Sequence, residues 1–291
     1  MKPDITIIGC GRVGTALAVF LSRAGYPVTG FFSRHLESAE KAAKAAGTGK
    51  VYDTLQGAVT VADIVFITTP DQLIEGVCEE LAAIEGLLDK RMVMHCSGAL
   101  SSEILSAARA CGADVGSIHP LQSFAPYVPG QASPFQGIHI SVEGSDRAVT
   151  AGKEMAVNLG GACFTLPTHA KTLYHASAVV ASNYLVTLEH FALDLLKAAN
   201  LSEKEAYPIL EPLITGTLNN IKNRGTQGAL TGPVARGDAA VVADHLGDLE
   251  KKMPEYVALY KMMGKYTLKL AQKGGTLDKE AIQSLSKLFA Q

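Results

Sequence analysis

Ile5-Thr6-Ile7-Ile8-Gly9-Cys10-Gly11-Arg12-Val13-Gly14 reads as a buried strand that runs without a break into a glycine-rich turn. Thr15-Ala16-Leu17-Ala18-Val19-Phe20-Leu21 then continues as a helix. In this Gly-x-Gly-x-x-Gly spacing Gly9 permits the tight turn, Gly11 lets a pyrophosphate approach the backbone, and Gly14 lets helix and strand pack closely. A phosphate there would meet unpaired N–H groups at the positive end of the helix. A bare glycine triplet is a weak signal. Set between a strand and a helix, it predicts a dinucleotide cradle made of Gly9, Cys10, Gly11, Arg12, Val13 and Gly14. The loop lacks the Gly-Lys-Ser/Thr of a P-loop, which disfavours phosphoryl transfer.

The second strand, Tyr26 to Phe32, ends in Ser33-Arg34-His35. About twenty residues past the glycines, an acid favours a free ribose 2′-hydroxyl and an arginine favours a 2′-phosphate. No acid stands there, so Ser33 and Arg34 point to NADP rather than NAD. The plain alternative is an exposed basic residue at a strand end. Residues 37 to 46 read as a helix, Val51-Tyr52 as a short strand, and Asp63 to Asp71 as a central parallel strand closing in small polar residues. Thr68, Thr69 and Pro70 at its carboxyl end are candidate cofactor neighbours.

A helix from Leu73 to Ile84, the strand Met92 to His95, a helix from Ser102 to Ala110 and the strand Asp114 to Leu121 follow. Residues 123 to 136, with Pro126, Pro129 and Pro134, are expected to form a surface excursion. The strand Gly137 to Val142, a helix from Asp146 to Leu159 and the strand Ala162 to Leu166 complete this half. After Pro167 only helices are expected, at about 170–199, 203–222, 238–247, 254–273 and 278–290, with Ser202 and Asp278 as N-caps and Pro208 and Pro212 kinking or dividing the second. The fold class is α/β: a Rossmann doubly wound parallel sheet over 1–167, then an all-α substrate or dimerisation domain over 168–291. Its long apolar helices call for burial within the domain or against a second subunit, so a homodimer is expected.

Composition narrows the function. Over 291 residues, 26 basic and 28 acidic side chains give a net charge of −2, which predicts no affinity for nucleic acid or acidic membranes. Five scattered cysteines with no Cys-x-x-Cys pair suit a reduced, cytoplasmic setting. Met1 leads almost directly into the first strand, so no signal peptide is expected, and the apolar runs read as too short or too interrupted to span a bilayer. The eight histidines are dispersed, so no metal set is expected.

Three clusters compete to handle a proton beside the cofactor. In Thr168-His169-Ala170-Lys171-Thr172-Leu173-Tyr174-His175, Lys171 and His175 share a helix face, with Ser182 and Asn183 further along as possible hydrogen-bond partners. Ser97 and His119 sit on loops at the ligand edge of the sheet, where a hydroxyl bonded to an imidazole could select its tautomer. Arg236, in Thr231-Gly232-Pro233-Val234-Ala235-Arg236-Gly237-Asp238, could hold a carboxylate; Asp238 either caps the following helix or bonds Arg236 across the turn. Each has a bland counterpart: a solvated lysine, a histidine bonding a backbone carbonyl, an exposed arginine.

Together with the glycine loop, His95-Cys96-Ser97-Gly98-Ala99, His119-Pro120-Leu121-Gln122-Ser123-Phe124, Lys171 through Asn183, Thr231-Gly232-Pro233 and Arg236-Gly237-Asp238 resemble a group of bacterial oxidoreductases. Those proteins join a Rossmann-like NADP-binding domain to a helical C-terminal domain of unknown function. More distantly the layout is similar to β-hydroxyacid dehydrogenases, ketopantoate reductase and pyrroline-5-carboxylate reductase; Ser97 with His119-Pro120 resembles prephenate dehydrogenases. In the first two groups a lysine followed four residues later by asparagine works on the substrate oxygen. Lys171 matches the lysine, while His175 replaces the asparagine. The resemblance implies an NADP-dependent dehydrogenase of a small oxo, hydroxy or imino acid, ketopantoate-like in the first instance. Lys171 is then the leading proton donor, His119 and His175 follow, and Ser97, Gly98, Asn183 and Arg236 contact substrate. The rival readings are an NADP-binding sensor without turnover and a deazaflavin-linked oxidoreductase.

Overall fold

In the computed structural model, which describes residues 1–275 and 277–290, the opening run is the fully buried strand β1 (Ile5–Ile8), and the glycine turn opens into α1 (Arg12–Arg23). The chain continues through β2 (Val28–Phe32), α2 (Leu36–Ala46), β3 (Lys50–Val51), α3 (Leu55–Thr60), β4 (Ile64–Ile67), α4 (Asp71–Ala82) and β5 (Met92–His95). Then come α5 (Ser106–Ala110), β6 (Asp114–Pro120), β7 (His139–Gly144), α6 (Asp146–Asn158) and β8 (Ala162–Thr165). Among the described residues eight strands form one sheet, in the order β3-β2-β1-β4-β5-β6-β7-β8.

β1 to β6 are mutually parallel, and β1, β4 and β5 at the centre are buried end to end, while β3 at the edge is not. Ile5, Ile7, Phe66 and Met94 pack under α1, α2 and α6, while Ile8, Val65, Ile67 and Val93 pack under α4 and its neighbours. This is the doubly wound arrangement the periodicity predicts, with one departure: β7 runs antiparallel to β6, and β8 follows β7. A parallel return needs a crossover, usually a helix. The proline-bearing segment 123–136 cannot supply one, so the chain turns straight back. That segment is not a free excursion: Phe135 is fully buried, and Tyr127 packs edge-on against Phe20 of α1 and accepts a hydrogen bond from Arg23.

The chain divides into two compact units, Met1–Ser182 and Asn183–Gln291. The first therefore keeps α7 (Lys171–Val179), which the sequence reading gave to the helical half. The helix expected over 170–199 is observed as α7, a π-helical turn Val180–Tyr184 and α8 (Leu185–Ala198). The second unit also holds α9 (Glu203–Ala229), α10 (Pro233–Arg236), α11 (Ala239–Lys252), α12 (Val257–Lys273) and α13 (Lys279–Ala290). Val242, Leu246, Leu268, Leu285 and Phe289 form its core, and Gly264 lets α12 sit against the Phe289 ring.

Pro208 and Pro212 do not divide α9, which continues through both and leaves helical geometry only at Gly225, with φ 70° and ψ 174°. Both prolines are exposed, so water can serve the carbonyls whose N–H partners they remove. Asp278 caps α13 through Ala281 N–H, and Ser202 turns its hydroxyl to Glu205 instead of the helix backbone. Among the described residues no helix is long and apolar enough to cross a membrane.

Candidate active site

The glycine loop has the shape its sequence demands. Gly9 has φ +93°, and a Cβ there would lie 2.7 Å from Thr69 N. At Gly14 a Cβ would lie 2.3 Å from Gly9 O, so strand and helix meet where only hydrogen fits. Gly11, by contrast, has nothing within 4 Å, and no side chain caps the first turn of α1. Thr68 braces the loop from behind by donating to the carbonyls of Ile8 and Gly9. The Thr69 hydroxyl is buried with no partner among the described residues. Cys10 is an inert filler: burial pushes its thiol up to about 12. An open backbone approach, free N–H groups and an orphaned hydroxyl beside them suit a phosphate-bearing cofactor. A cavity of about 580 Å³ opens beside Gly11 and Arg12, lined also by Lys41 and Lys44 of α2 and by Tyr127. Arg34 is exposed just past β2, with Ser33 half-buried next to it.

Two of the three candidate clusters prove to be one. Lys171 is 2% exposed and donates from Nζ to Ser97 O and to Ser117 Oγ, both at 2.8 Å. One turn further along α7, Tyr174 Oη is 2.9 Å from His119 Nδ1, and the His119 and His175 rings stand 6.3 Å apart at 75°. A register match explains this. Four residues of helix rise about 6 Å and two residues of strand about 6.6 Å, so Lys171 and His175 on one helix face meet Ser117 and His119 on one strand face. Gly98 lies between the imidazoles: a Cβ there would be 2.6 Å from His175 Nδ1 and 2.7 Å from His119 Nε2.

The serine–histidine bond expected from the sequence is not made. Ser97 Oγ donates to Asp71 Oδ2 at 2.8 Å and accepts from the N–H groups of Ala99 and Leu100, so it holds the turn 97–100 closed. His119 bonds Tyr174 instead. His95, wholly buried, accepts from Ser97 N–H at Nδ1 and meets Ser101 O at Nε2. Glu143 is 3% exposed and accepts from Ser102 N, Ser102 Oγ and Thr168 Oγ1, tying the loop after β5 to the entry of α7.

Burial governs the electrostatics. It pulls Lys171 down to about 8, against the opposing pull of Glu143, Cys96 and Asp71. It also lowers His119 to about 4 and His95 to about 3, with the Lys171 charge adding to both. At neutral pH these histidines are uncharged and Lys171 carries the local positive charge. Neutral imidazoles beside a buried ammonium can bind and orient a polar group and pass a proton.

The third cluster lies in the second unit. Asp238 caps α11 through Val241 N–H at 3.3 Å, as one of the two sequence readings had it, and Arg236 is exposed in the last turn of α10. Thr231, Pro233 and Val234 line an apolar cavity of about 590 Å³. Asn183 is exposed at the start of that unit. Sequence reasoning gave no role to Tyr174, Ser117, Asp71 or Glu143. Ser117 was within reach, since it lies two residues before His119 on the same strand, and Glu143 stands out as a charge in an otherwise uncharged, apolar-rich strand.

Residues 2–120 match the family model described as a Rossmann-like domain, and residues 138–267 match a domain of unknown function, DUF2520. The chain thus carries a Rossmann-like domain followed by a DUF2520 region. No curated protein matches it. Among solved structures it is similar to a Bacteroides fragilis protein given the provisional name NADP oxidoreductase, at 23% identity and TM-score 0.73, covering 92% of this chain and 98% of that one. A Thermotoga maritima protein shares 28% identity at TM-score 0.69, covering 92% and 98%. An imine reductase from Myxococcus stipitatus in complex with NADP+ shares 19% at TM-score 0.67, covering 99% and 100%. These are likenesses of fold.

Proposed function

We propose that this chain is an NADP-dependent oxidoreductase that reduces a small 2-oxo or cyclic imino acid, or oxidises the corresponding hydroxy or amino acid. One observation carries the reading: His119 and His175 converge on Gly98, with Tyr174 bonded to His119, at the carboxyl ends of β5 and β6, the same sheet edge at which β1 opens into an unobstructed glycine loop. The fold neighbours point the same way, since one is named for NADP oxidoreduction and another for imine reduction with NADP+. Gly9 to Gly14 and Thr69 would hold the pyrophosphate side, and Ser33 with Arg34 the 2′-phosphate. When bound, reduced nicotinamide supplies the hydride. His119 and His175 orient the substrate oxygen or nitrogen, and Tyr174 feeds the proton chain through His119. Lys171, tied by two of its three N–H groups, supplies positive charge that steadies a substrate anion. The helical unit pairs with a second copy of the chain, because Ile209 and Leu213, four residues apart on one face of α9, are both exposed by half or more.

Fluorescence titration with NADPH and NADH, followed by NADPH consumption against ketopantoate, other 2-oxo acids and cyclic imines such as 1-pyrroline-5-carboxylate, tests the proposal. NADPH should bind at least about tenfold tighter, and Arg34→Ala should erase that preference. Binding without turnover of any compound would replace this reading with that of an NADP sensor. Equal affinity for the two nucleotides would remove the 2′-phosphate assignment.

A further inference from the structure

Glycine carries only a hydrogen where other residues carry Cβ, and at position 98 that hydrogen faces two ring nitrogens. A Cβ at 2.6 Å from His175 Nδ1 and 2.7 Å from His119 Nε2 would drive both rings away. The two histidines differ in what remains free. His119 has Tyr174 on Nδ1, so either tautomer can be satisfied there. Among the described residues, His175 Nδ1 is enclosed and has no hydrogen-bond partner.

That orphaned nitrogen fixes the proton. An enclosed N–H with no acceptor is among the rarest features of folded proteins, and here its hydrogen would point into the glycine. A lone pair in the same place meets a Cα–H, which is a weak attraction. The proton of neutral His175 therefore belongs on Nε2. His175 is half-buried, and Nε2 is not among the enclosed orphan atoms of the described residues.

We infer that Gly98 locks His175 in its Nε2–H tautomer and that this N–H is the hydrogen-bond donor to the double-bonded heteroatom of the substrate, a carbonyl oxygen or an imine nitrogen. Gly98 is a positioning residue, and the ligand it selects is one that accepts a hydrogen bond at that atom. The substrate half of this inference rests on the reductase reading above; the tautomer does not.

Nitrogen NMR of the full chain labelled at histidine, without cofactor, reads the tautomer directly near neutral pH, with His175 assigned by comparison with His175→Gln. The expected result is an unprotonated Nδ1 and a protonated Nε2. A protonated Nδ1, or two tautomers in exchange, overturns the inference. Gly98→Ala should convert the single tautomer into a mixture; an unchanged spectrum shows that Gly98 does not set it. The donor role has its own arm, read with NADPH and 1-pyrroline-5-carboxylate. Glutamine places its amide N–H near the position of Nε2 and asparagine places it near Nδ1, so His175→Gln should hold KM near the wild-type value while His175→Asn raises it about tenfold or more. Equal losses overturn the donor assignment. A chain with the expected tautomer that reduces nothing would sink the reductase reading and leave the Gly98 lock in place.

Discussion

The Nζ of Lys171 sits 2.8 Å from the carbonyl oxygen of Ser97, a residue 74 positions earlier in the chain, in a site where the lysine is only 2% exposed. Burial lowers its pKa from 10.5 to about 8, so the folded protein binds fewer protons than the unfolded chain between those values. Stability should therefore rise with pH from about 8 towards 10.5, by as much as about 3 kcal/mol across the window. Lys171→Met removes the buried charge but leaves Ser97 O and Ser117 Oγ without their donor, a loss of about 1–3 kcal/mol that roughly offsets the gain. The variant should be near wild-type stability at neutral pH, lack the alkaline rise, and lose turnover by orders of magnitude. Urea midpoints at pH values on either side of 8 decide this; an identical alkaline rise in both proteins would show that Lys171 is not its source.

His95 and His119 should make the first unit sensitive to acid. Their folded pKa values, about 3 and about 4, lie below the unfolded 6.5, so protonation favours the unfolded chain. Their contribution is complete above 6.5 and is lost as pH falls through 6.5 towards 3. At His95 burial is the main cause and the Lys171 charge adds to it, while Nδ1 already accepts Ser97 N–H, so an added proton there would face a donor. His95→Gln should lower stability at neutral pH by about 1–3 kcal/mol, through the lost bond, and flatten the acid limb of a melting-temperature profile. A limb of unchanged steepness would place the acid sensitivity elsewhere.

Gly11 and Gly14 should separate function from folding. At Gly14 a Cβ meets Gly9 O at 2.3 Å and Thr68 Oγ1 at 2.5 Å, both fixed by the loop, so Gly14→Ala should cost about 1–3 kcal/mol or more. Gly11 has nothing within 4 Å and φ −79°, so Gly11→Ala should leave the melting temperature unchanged and weaken NADPH binding by blocking its approach. Calorimetry of binding and thermal melts of both variants are sufficient. If Gly11→Ala binds NADPH as well as wild type, the cofactor does not lie against that backbone.

The strands were legible because each is a short apolar run closed by glycine, proline or small polar residues, and β1, β4 and β5 are buried end to end as such runs require. Their directions were not legible. Nothing in His139-Ile140-Ser141-Val142 says which way the strand points, and only the missing crossover turns it antiparallel. The six-residue α3 went unseen because its sole signals are the Thr54 cap and Ala58-Val59 against the sheet. In the site, Lys171, His119, His175 and Ser97 were all picked as chemical candidates, but as rivals. Their union depends on Lys171 reaching Ser117 across 54 residues and on Tyr174 reaching His119 across 55, distances over which sequence spacing carries no information. The fate of the Ser97 hydroxyl was hidden for the same reason, since Asp71 and the turn compete for it and win.

The exposed face of α9 leads to the last prediction. Leu213 is 67% exposed and Ile209, four residues earlier on the same face, 52%, which is a costly surface for a helix bathed in water, while Tyr207 and Leu218, 50% each, lie on the other side of the helix. In a lone chain, Leu213→Glu would replace an exposed apolar side chain with a charged one and change folding stability by no more than about 0.5 kcal/mol. Against a second copy, the same change buries a carboxylate in an apolar contact. By two-fold symmetry it does so twice, so association should weaken by orders of magnitude while each chain stays folded. Sedimentation velocity over a range of concentrations, with circular dichroism as the control for folding, separates the cases. Wild-type protein that sediments as a single chain throughout would mean that this face serves something other than self-association.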